Sequence, residues 1–494
     1  MQDKVFSAPE LDKTRYRCQY LVVGTGAGGS VAGALLAEAG KDVLFLEEGD
    51  YHPTGSFSTN VGEMTARLYR NQGIFPFLGK PTMAFAESAC VGGGTVINGG
   101  LIWRTPPWIL GEWQQEHQLD EFNEDQLTPH FETIERDLHV TRAGDDENAN
   151  LASRYLEQGA RALDWKSVHV PRAVKDCINE NFCATGCLNG SKQSMLLTYL
   201  PRATAKGAKI FSGCRVVRIN HRGGQARSVL ARVGGKRGRL IEVEFDQLIL
   251  AGGAVQTPYL LRRSGLAPQA GRSLQFHMNL KVVAIFDKPV MPEKSTIFTI
   301  QVQEFEREGT LIMASNTKPH YVAMTLSHYS NDVINRVLTE FDRTSIFATM
   351  IRPKSRARIM SRLGQPFVTY KFEPEDLLQI KKALRHTVEI LLECGARQLY
   401  LPVHGMEPVD SLEAFDRQIE RLQPGQLELI TVHVMSSCPM GKDPQTSVVD
   451  PTGKLRDLSN VTLTDASILP SNIGESPQGT IMAFAHEITG RHLA

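Results

Sequence analysis

The sequence predicts an α/β protein in which a Rossmann-type dinucleotide-binding domain is interleaved with an α+β domain built on an antiparallel sheet. Three observations carry this expectation. Tyr20 to Tyr51 reads YLVVGTGAGGSVAGALLAEAGKDVLFLEEGDY, which is strand, glycine turn, helix, strand and acid in the order a βαβ unit requires. Short apolar runs alternating with polar residues fill the region from Leu280 to Phe372, as in an antiparallel sheet. A chain of 494 residues is long enough to bury two substantial cores.

Each residue of the glycine turn has a physical task. Gly24 permits the turn, Gly26 lets the backbone approach a pyrophosphate, and Gly29 lets the helix pack closely on its strand. The helix N-terminus then offers free N–H groups and a positive dipole end to the phosphates. Glu47, at the end of the second strand, is placed to accept the hydrogen bonds of a ribose diol. The motif suits NAD or FAD, and its place near the N-terminus favours FAD.

Composition narrows the class. Lys plus Arg and Asp plus Glu are both 54, so the net charge is zero and nothing argues for nucleic acid or for electrostatic attachment to a membrane. The first twenty residues lack the apolar core of a secretory signal, and no apolar run approaches bilayer length. The expected location is the cytoplasm, with peripheral membrane association or export beside a partner subunit left open.

After the βαβ unit, a loop-rich region from Tyr51 to Glu87 leads into Cys90-Val-Gly-Gly-Gly-Thr-Val-Ile-Asn-Gly-Gly100. Consecutive glycines Gly92, Gly93 and Gly94 suit backbone lying flat against a large ligand, with Thr95 and Asn98 as the polar groups there. Glu112 to Thr141 shows helical spacing, a polar AGDDENAN loop follows, and Leu151 to Leu163 is another helix. Cys177, Cys183 and Cys187 form a C-x5-C-x3-C cluster. Three thiolates suffice for a three-iron cluster, whereas zinc lacks a fourth ligand nearby; reduced structural thiols are the alternative. Met195 to Ala205 reads as a helix on the first sheet. Ala208 to Asn220 and Ser228 to Phe245 read as strands with a hairpin at Gly234-Gly235, placing Val216 near an adenine. Asp246 to Ala251 returns to the parallel sheet. The second sheet is expected from LKVVAIF, STIFTIQVQ, YVAMTLS, SIFATMIRP and QPFVTYKF, covered by a helix from Glu373 to about Cys394. These elements assign 15–130, 190–275 and 425–494 to the cofactor domain, and 131–189 and 276–424 to the substrate domain.

Together the motifs resemble the glucose–methanol–choline (GMC) oxidoreductases, a family of FAD enzymes. The resemblance rests on GTGAGG, LEEG, CVGGGTVINGG, LILAGGAVQTPYLLRRSG (Leu248 to Gly265), SLQFHMN (Ser273 to Asn279), HVMSSCPMG (His433 to Gly441) and LTDASILPSNIGESPQGTIMAFAHEI. It implies that His433 lies over the flavin and accepts the alcohol proton while hydride leaves carbon. It implies further that Asp465 faces the ribityl chain or pyrophosphate and that Thr480 starts the closing helix near the pyrimidine end of the ring. Ala251 ends the strand of the second signature. A second catalytic His or Asn normally precedes a Pro-x-x-Thr run, and Ser476 stands there in this chain, with Glu475 beside it. Serine donates a hydrogen bond but is no useful base. The GGGTVING loop lacks His, Cys and Tyr, so the resemblance implies non-covalent FAD.

The cysteine spacing equals that of the large subunits of FAD-dependent glucose dehydrogenases, which carry a [3Fe–4S] cluster, except that Leu188 replaces a proline. Long-chain alcohol oxidase-like members also carry a cysteine-rich loop before a stretch like GSKQS, Gly190 to Ser194. The implied activity is oxidation of a small-molecule alcohol, with electrons passed to a cytochrome, quinone or small-subunit acceptor. The alternatives are an oxidase producing hydrogen peroxide, a lyase keeping FAD as structure, and a non-catalytic electron-transfer subunit.

Overall fold

The computed structural model describes residues 1–73, 75–142, 150–235, 237–293, 295–315 and 317–493. Most of the AGDDENAN loop therefore lies outside the described residues.

The first sheet runs Val5–Phe6, Lys209–Phe211, Val43–Leu46, Arg15–Val23, Arg239–Leu250, Gln225–Val233, Cys214–Arg222. Its first five strands are parallel and the last two pairings antiparallel. Arg239–Leu250 serves both parts, because its second half also pairs in parallel with Val461–Leu463. Register aligns Val23 with Leu46, Val23 with Leu250, and Leu250 with Leu463. All four strands thus end together, and the crevice beyond the carboxyl ends of a parallel sheet is where such folds bind ligands.

Tight glycine packing holds the helix Ala27–Glu38 on this sheet. A Cβ on Gly28 would lie 1.7 Å from the Thr464 carbonyl oxygen, one on Gly29 2.2 Å from that of Gly24, and one on Gly33 2.1 Å from the Phe45 ring. Three side-chain-free positions on one helix face let it sit directly on the strand ends. The terminal helix Gln478–Leu493 and the short helix Tyr199–Ala205 flank it.

The second sheet has eleven strands, mostly antiparallel, centred on Met278–Phe286, which pairs with Thr344–Ile351 along its full length. The helix Pro374–Glu393 covers one face and buries Ile380, Leu384, Val388 and Leu391 against it. Two expectations are corrected here. YVAMTLS is not a strand: Pro319–Thr325 is a helix, with Pro319 in its first turn and Val322 and Leu326 buried on one face at i, i+4. Residues around 76–85 do not stay with the first sheet: Pro76–Leu78 pairs with Gln365–Tyr370 and Met83–Phe85 with Leu429–Thr431, because Phe77, Met83 and Phe85 bury in the second core.

Among the described residues, no helix is long and apolar enough to cross a membrane.

Candidate active site

The aligned strand ends open into a cleft enclosing about 980 Å³ of atom-free space, mouth included. Gly24, Gly26, Glu47, Gly93, Gly94, Val216 and Ala251 line it. The lining glycines are of two kinds. Gly24, with φ +101°, and Gly93, with φ +58°, sit where a Cβ would strike backbone of Ala251 and Gly26. Gly26, Gly94 and Gly253 line the cleft with no protein atom closer than 4.0 Å to the place a Cβ would take. A cleft floored by bare backbone at a helix N-terminus has the donors and the close approach that a pyrophosphate needs. The residues present therefore fit a dinucleotide.

Glu47 lies at the floor. One carboxylate oxygen accepts from the Thr25 N–H at 2.9 Å and the Thr25 hydroxyl at 2.7 Å; the other accepts from the Gly49 N–H at 3.0 Å. Burial pushes its carboxyl above the ordinary range, against the pull of these hydrogen bonds. Beside it is a cluster that sequence reasoning missed. Arg70 pairs with Glu48 at 2.9 Å and with Glu87 at 2.5 Å, and Arg215 approaches Glu48 at 3.5 Å. Burial alone would raise Glu48, but the Arg70 and Arg215 guanidiniums outweigh it and hold Glu48 below the usual carboxylate range. All four line the cleft together with Gln256, which donates to Glu87. Nothing local marks Arg70 or Glu87; an isolated bridge between Tyr69 and Ser88 and the hydrogen bond from the Arg70 N–H to the Glu87 carbonyl set them side by side.

Five residues expected at the cofactor, Gly29, Thr95, Asn98, Asp465 and Thr480, are not among those lining this cleft. Gly29 packs on Gly24. The Thr95 hydroxyl donates to the Gly92 carbonyl at 2.7 Å and accepts from the Met195 N–H at 3.0 Å, which braces the glycine loop. Asn98 donates to Gln478, and Thr480 shares a 2.9 Å hydrogen bond with Thr105. Asp465 accepts from the Gly253 N–H at 2.7 Å and the Thr257 hydroxyl at 2.5 Å, and so caps the helix Gly253–Arg263 within the second signature.

The cysteine loop supports the cleft as well. The Lys192 ammonium donates to the carbonyls of Val96 at 2.7 Å, Asn98 at 2.8 Å and Cys183 at 2.6 Å, tying that loop to the glycine loop. The Cys177 thiol contacts Asn179 and Thr296, the Cys187 thiol contacts Asn189 and the Lys192 N–H, and Cys183 is buried. Among the described residues no group of three His, Cys, Asp or Glu side chains is arranged to hold a metal ion. The iron–sulfur cluster expected at Cys177, Cys183 and Cys187 therefore finds no support among the described residues.

His433 is brought into place by a two-residue ladder, Gln275–Phe276 against Val434–Met435. The His277 N–H donates to the His433 carbonyl at 3.2 Å, and the two imidazoles meet Nδ1 to Nδ1 at 3.1 Å. Burial, with the Lys281 ammonium in electrostatic reach, pushes His433 down to about 4. His277 is fully buried and held well below the ordinary imidazole range, first by burial and then by His433. Its Nε2 has no hydrogen-bond partner, although the Asn472 side chain lies beside the ring. Asn472 donates Nδ2 to the Phe276 carbonyl and accepts the Gly474 N–H on Oδ1, which fixes its orientation. His277 stood within SLQFHMN, but only the ladder shows that it touches His433.

Ser476 is buried on the loop before the terminal helix. Its neighbour Glu475 accepts from Gln301 at 2.6 Å and Gln303 at 3.1 Å on one oxygen, and burial pushes its carboxyl up to about 8. The two amide donors pull the other way, toward the carboxylate, but burial outweighs them.

A parallel sheet with a glycine-floored dinucleotide cleft at its strand ends, joined to a second sheet that presents a paired histidine, defines a two-domain flavoprotein-type oxidoreductase. Residues 18–279 and 353–485 match the GMC oxidoreductase family, and the chain belongs to it. It is 34% identical over 482 residues to an uncharacterized GMC-type oxidoreductase of Mycobacterium tuberculosis (strain ATCC 25618 / H37Rv), covering 97% of this chain and 76% of the relative. It is 26% identical to the long-chain-alcohol oxidase FAO3 of Arabidopsis thaliana, covering 98% and 68%. The fold superposes on the crystal structure of pyridoxine 4-oxidase from Mesorbium loti with a TM-score of 0.74 at 20% identity, covering 96% of this chain and 99% of that one.

Proposed function

We propose that this chain binds FAD non-covalently and oxidises the CH–OH group of a small alcohol, with His433 as the base. The observation that supports this most directly is the His277–His433 pair, held by a backbone ladder beside a dinucleotide cleft. Bound FAD supplies the hydride acceptor. Gly26 and the N-terminus of the helix Ala27–Glu38 receive the pyrophosphate, while Glu47 faces the ribose and Val216 the adenine.

Proton bookkeeping assigns the histidine roles. Two neutral imidazoles in Nδ1–Nδ1 contact share one proton there. If it sits on His433, His277 accepts it, and the His433 Nε2 lone pair is left for the alcohol proton. His277 then carries its own proton on Nε2, with the Asn472 side-chain oxygen as the available acceptor. The charge that forms on His433 is stabilised by the His277 lone pair. His277 is thus a positioning residue. His277→Phe should lower the rate constant for substrate-dependent flavin reduction about tenfold or more, leave flavin content unchanged, and alter the pH profile of that step. A loss confined to KM would contradict the assignment.

Dioxygen is the acceptor this reading favours, with hydrogen peroxide as product. The relatives named above include an alcohol oxidase. The test is anaerobic addition of primary alcohols to flavin-loaded protein. Bleaching, followed by recovery and stoichiometric peroxide on admitting air, supports the oxidase. Bleaching that air does not reverse but a quinone does would turn the reading to a dehydrogenase. Flavin that no alcohol bleaches would favour a lyase.

A further inference from the structure

Lys281 interrupts the strand Met278–Phe286 with the one charge in MNLKVVAIF. Side chains along a strand alternate between faces. Leu280, Val282 and Ala284 enter the large core beneath the sheet. Lys281 shares the opposite face with His277 and Asn279, the face on which His277 meets His433. Across the sheet, register sets Lys281 beside Ala348, Ala348 beside Met313, and Met313 beside Gln301. Leu311, Met313, Ala348 and Met350 form a small apolar cluster of their own there, packed with Phe298. Gln301 in turn donates to Glu475, next to Ser476. The face toward the reacting centre is therefore apolar in the middle, with Lys281 at one end.

The ammonium has little to satisfy it. It donates to the Ser315 hydroxyl at 2.7 Å and lies 5.9 Å from the centre of the Phe298 ring. No carboxylate among the described residues is within 4.0 Å of it. Lys281 is half-buried, and a lysine partly removed from water is best satisfied by an anionic partner, because one hydroxyl does not replace the hydration it loses. Burial without a counter-charge also pushes it down to about 8.

We propose that Lys281 receives an anionic group of the substrate, so that the alcohol oxidised at His433 also carries a carboxylate or a similarly charged head. This rests on the alcohol-oxidising reading above and adds the substrate class. The anion supplies the charge-assisted hydrogen bonds that Ser315 alone does not, and the apolar cluster on the far side of Lys281 offers none that would compete for it.

The experiment titrates flavin-loaded protein with butanoate, hexanoate and octanoate, and with the corresponding primary alcohols, following the flavin difference spectrum. No turnover is needed, so a failure here is distinct from a failure of the redox reading. At least one carboxylate should bind tighter than its neutral analogue, and Lys281→Met should weaken that binding about ten- to a hundredfold while Lys281→Arg retains most of it. Met matches the side chain in length and removes a buried charge, so this variant should fold; flavin content and melting temperature check that it does. Carboxylates binding no better than alcohols, or equally well to Lys281→Met, overturn the proposal. So does a Lys281→Met variant altered only in reoxidation by oxygen, which would place the charge in the oxidative half-reaction instead. Bleaching by 6-hydroxyhexanoate in preference to 1-hexanol would extend the result to turnover.

Discussion

Replacing His433 by Gln should lower the rate of substrate-dependent flavin reduction by about 10²- to 10⁴-fold, the range for loss of a positioned general base. Flavin content should stay at the wild-type level, because His433 does not line the dinucleotide cleft. The pH dependence has a definite sign. A base works in its deprotonated form, and burial together with Lys281 holds His433 down to about 4. Neutral imidazole therefore dominates at every pH above that value, and the wild-type reductive rate should stay level from neutrality downward and fall only as pH approaches 4. Removing the opposing charge in Lys281→Met should move this acid limb upward, toward the ordinary imidazole value of 6.5. Stopped-flow reduction across pH 4–9 reads both effects. A His433→Gln enzyme reduced at the wild-type rate would remove the base from the scheme.

What the sequence made legible follows from the range of the interactions involved. The βαβ unit is local, so Gly24, Gly26, Gly29 and Glu47 could be placed by spacing alone. Motif order located the strand ends at Ala251 and the stretch carrying His433. The contacts that give these residues their chemistry are long-range. Arg70 and Glu87 are joined by the Tyr69–Ser88 bridge, the strand before Glu87 is held by Leu429–Thr431, and His277 meets His433 across 156 positions of sequence. Lys281 was visible as a lone charge in an apolar strand, but its face could not be assigned before the register was known. Thr95, Asn98, Asp465 and Thr480 show the converse. Polar residues in cofactor motifs read as ligand contacts, and the structure adds that their hydrogen bonds also brace the loops and caps around the cleft. Period alone also misled at Tyr321–Ser327, where a short apolar run fits strand or helix equally and Pro319 decides for helix.

Gly26→Ala and Gly29→Ala should fail in different ways, although both change one glycine of the same turn. At Gly29 a new Cβ would lie 2.2 Å from the Gly24 carbonyl oxygen and 2.9 Å from the Ala251 Cβ. Neither neighbour is the flexible end of a side chain, so the helix must lift from its strand. Overpacking of this kind costs about 1–3 kcal/mol, and the variant should melt lower with or without flavin. At Gly26 the added methyl meets no protein atom within 4 Å, and its φ of −70° is open to any residue. The Gly26→Ala apoprotein should therefore melt within about 0.5 kcal/mol of wild type, as for substitutions away from packing features. Its methyl, however, occupies the space through which a pyrophosphate approaches the helix N-terminus. Flavin occupancy should fall below about a tenth of wild type, equivalent to more than about 1.4 kcal/mol of binding free energy. Paired melts of apo and flavin-loaded protein, with flavin released and quantified from each, separate the two failures. A fully loaded Gly26→Ala enzyme would mean that the phosphates do not lie against this turn. The empty space beside Gly26 would then need a different occupant, and Glu47, at the adjacent strand end, would lose its argument for facing a ribose.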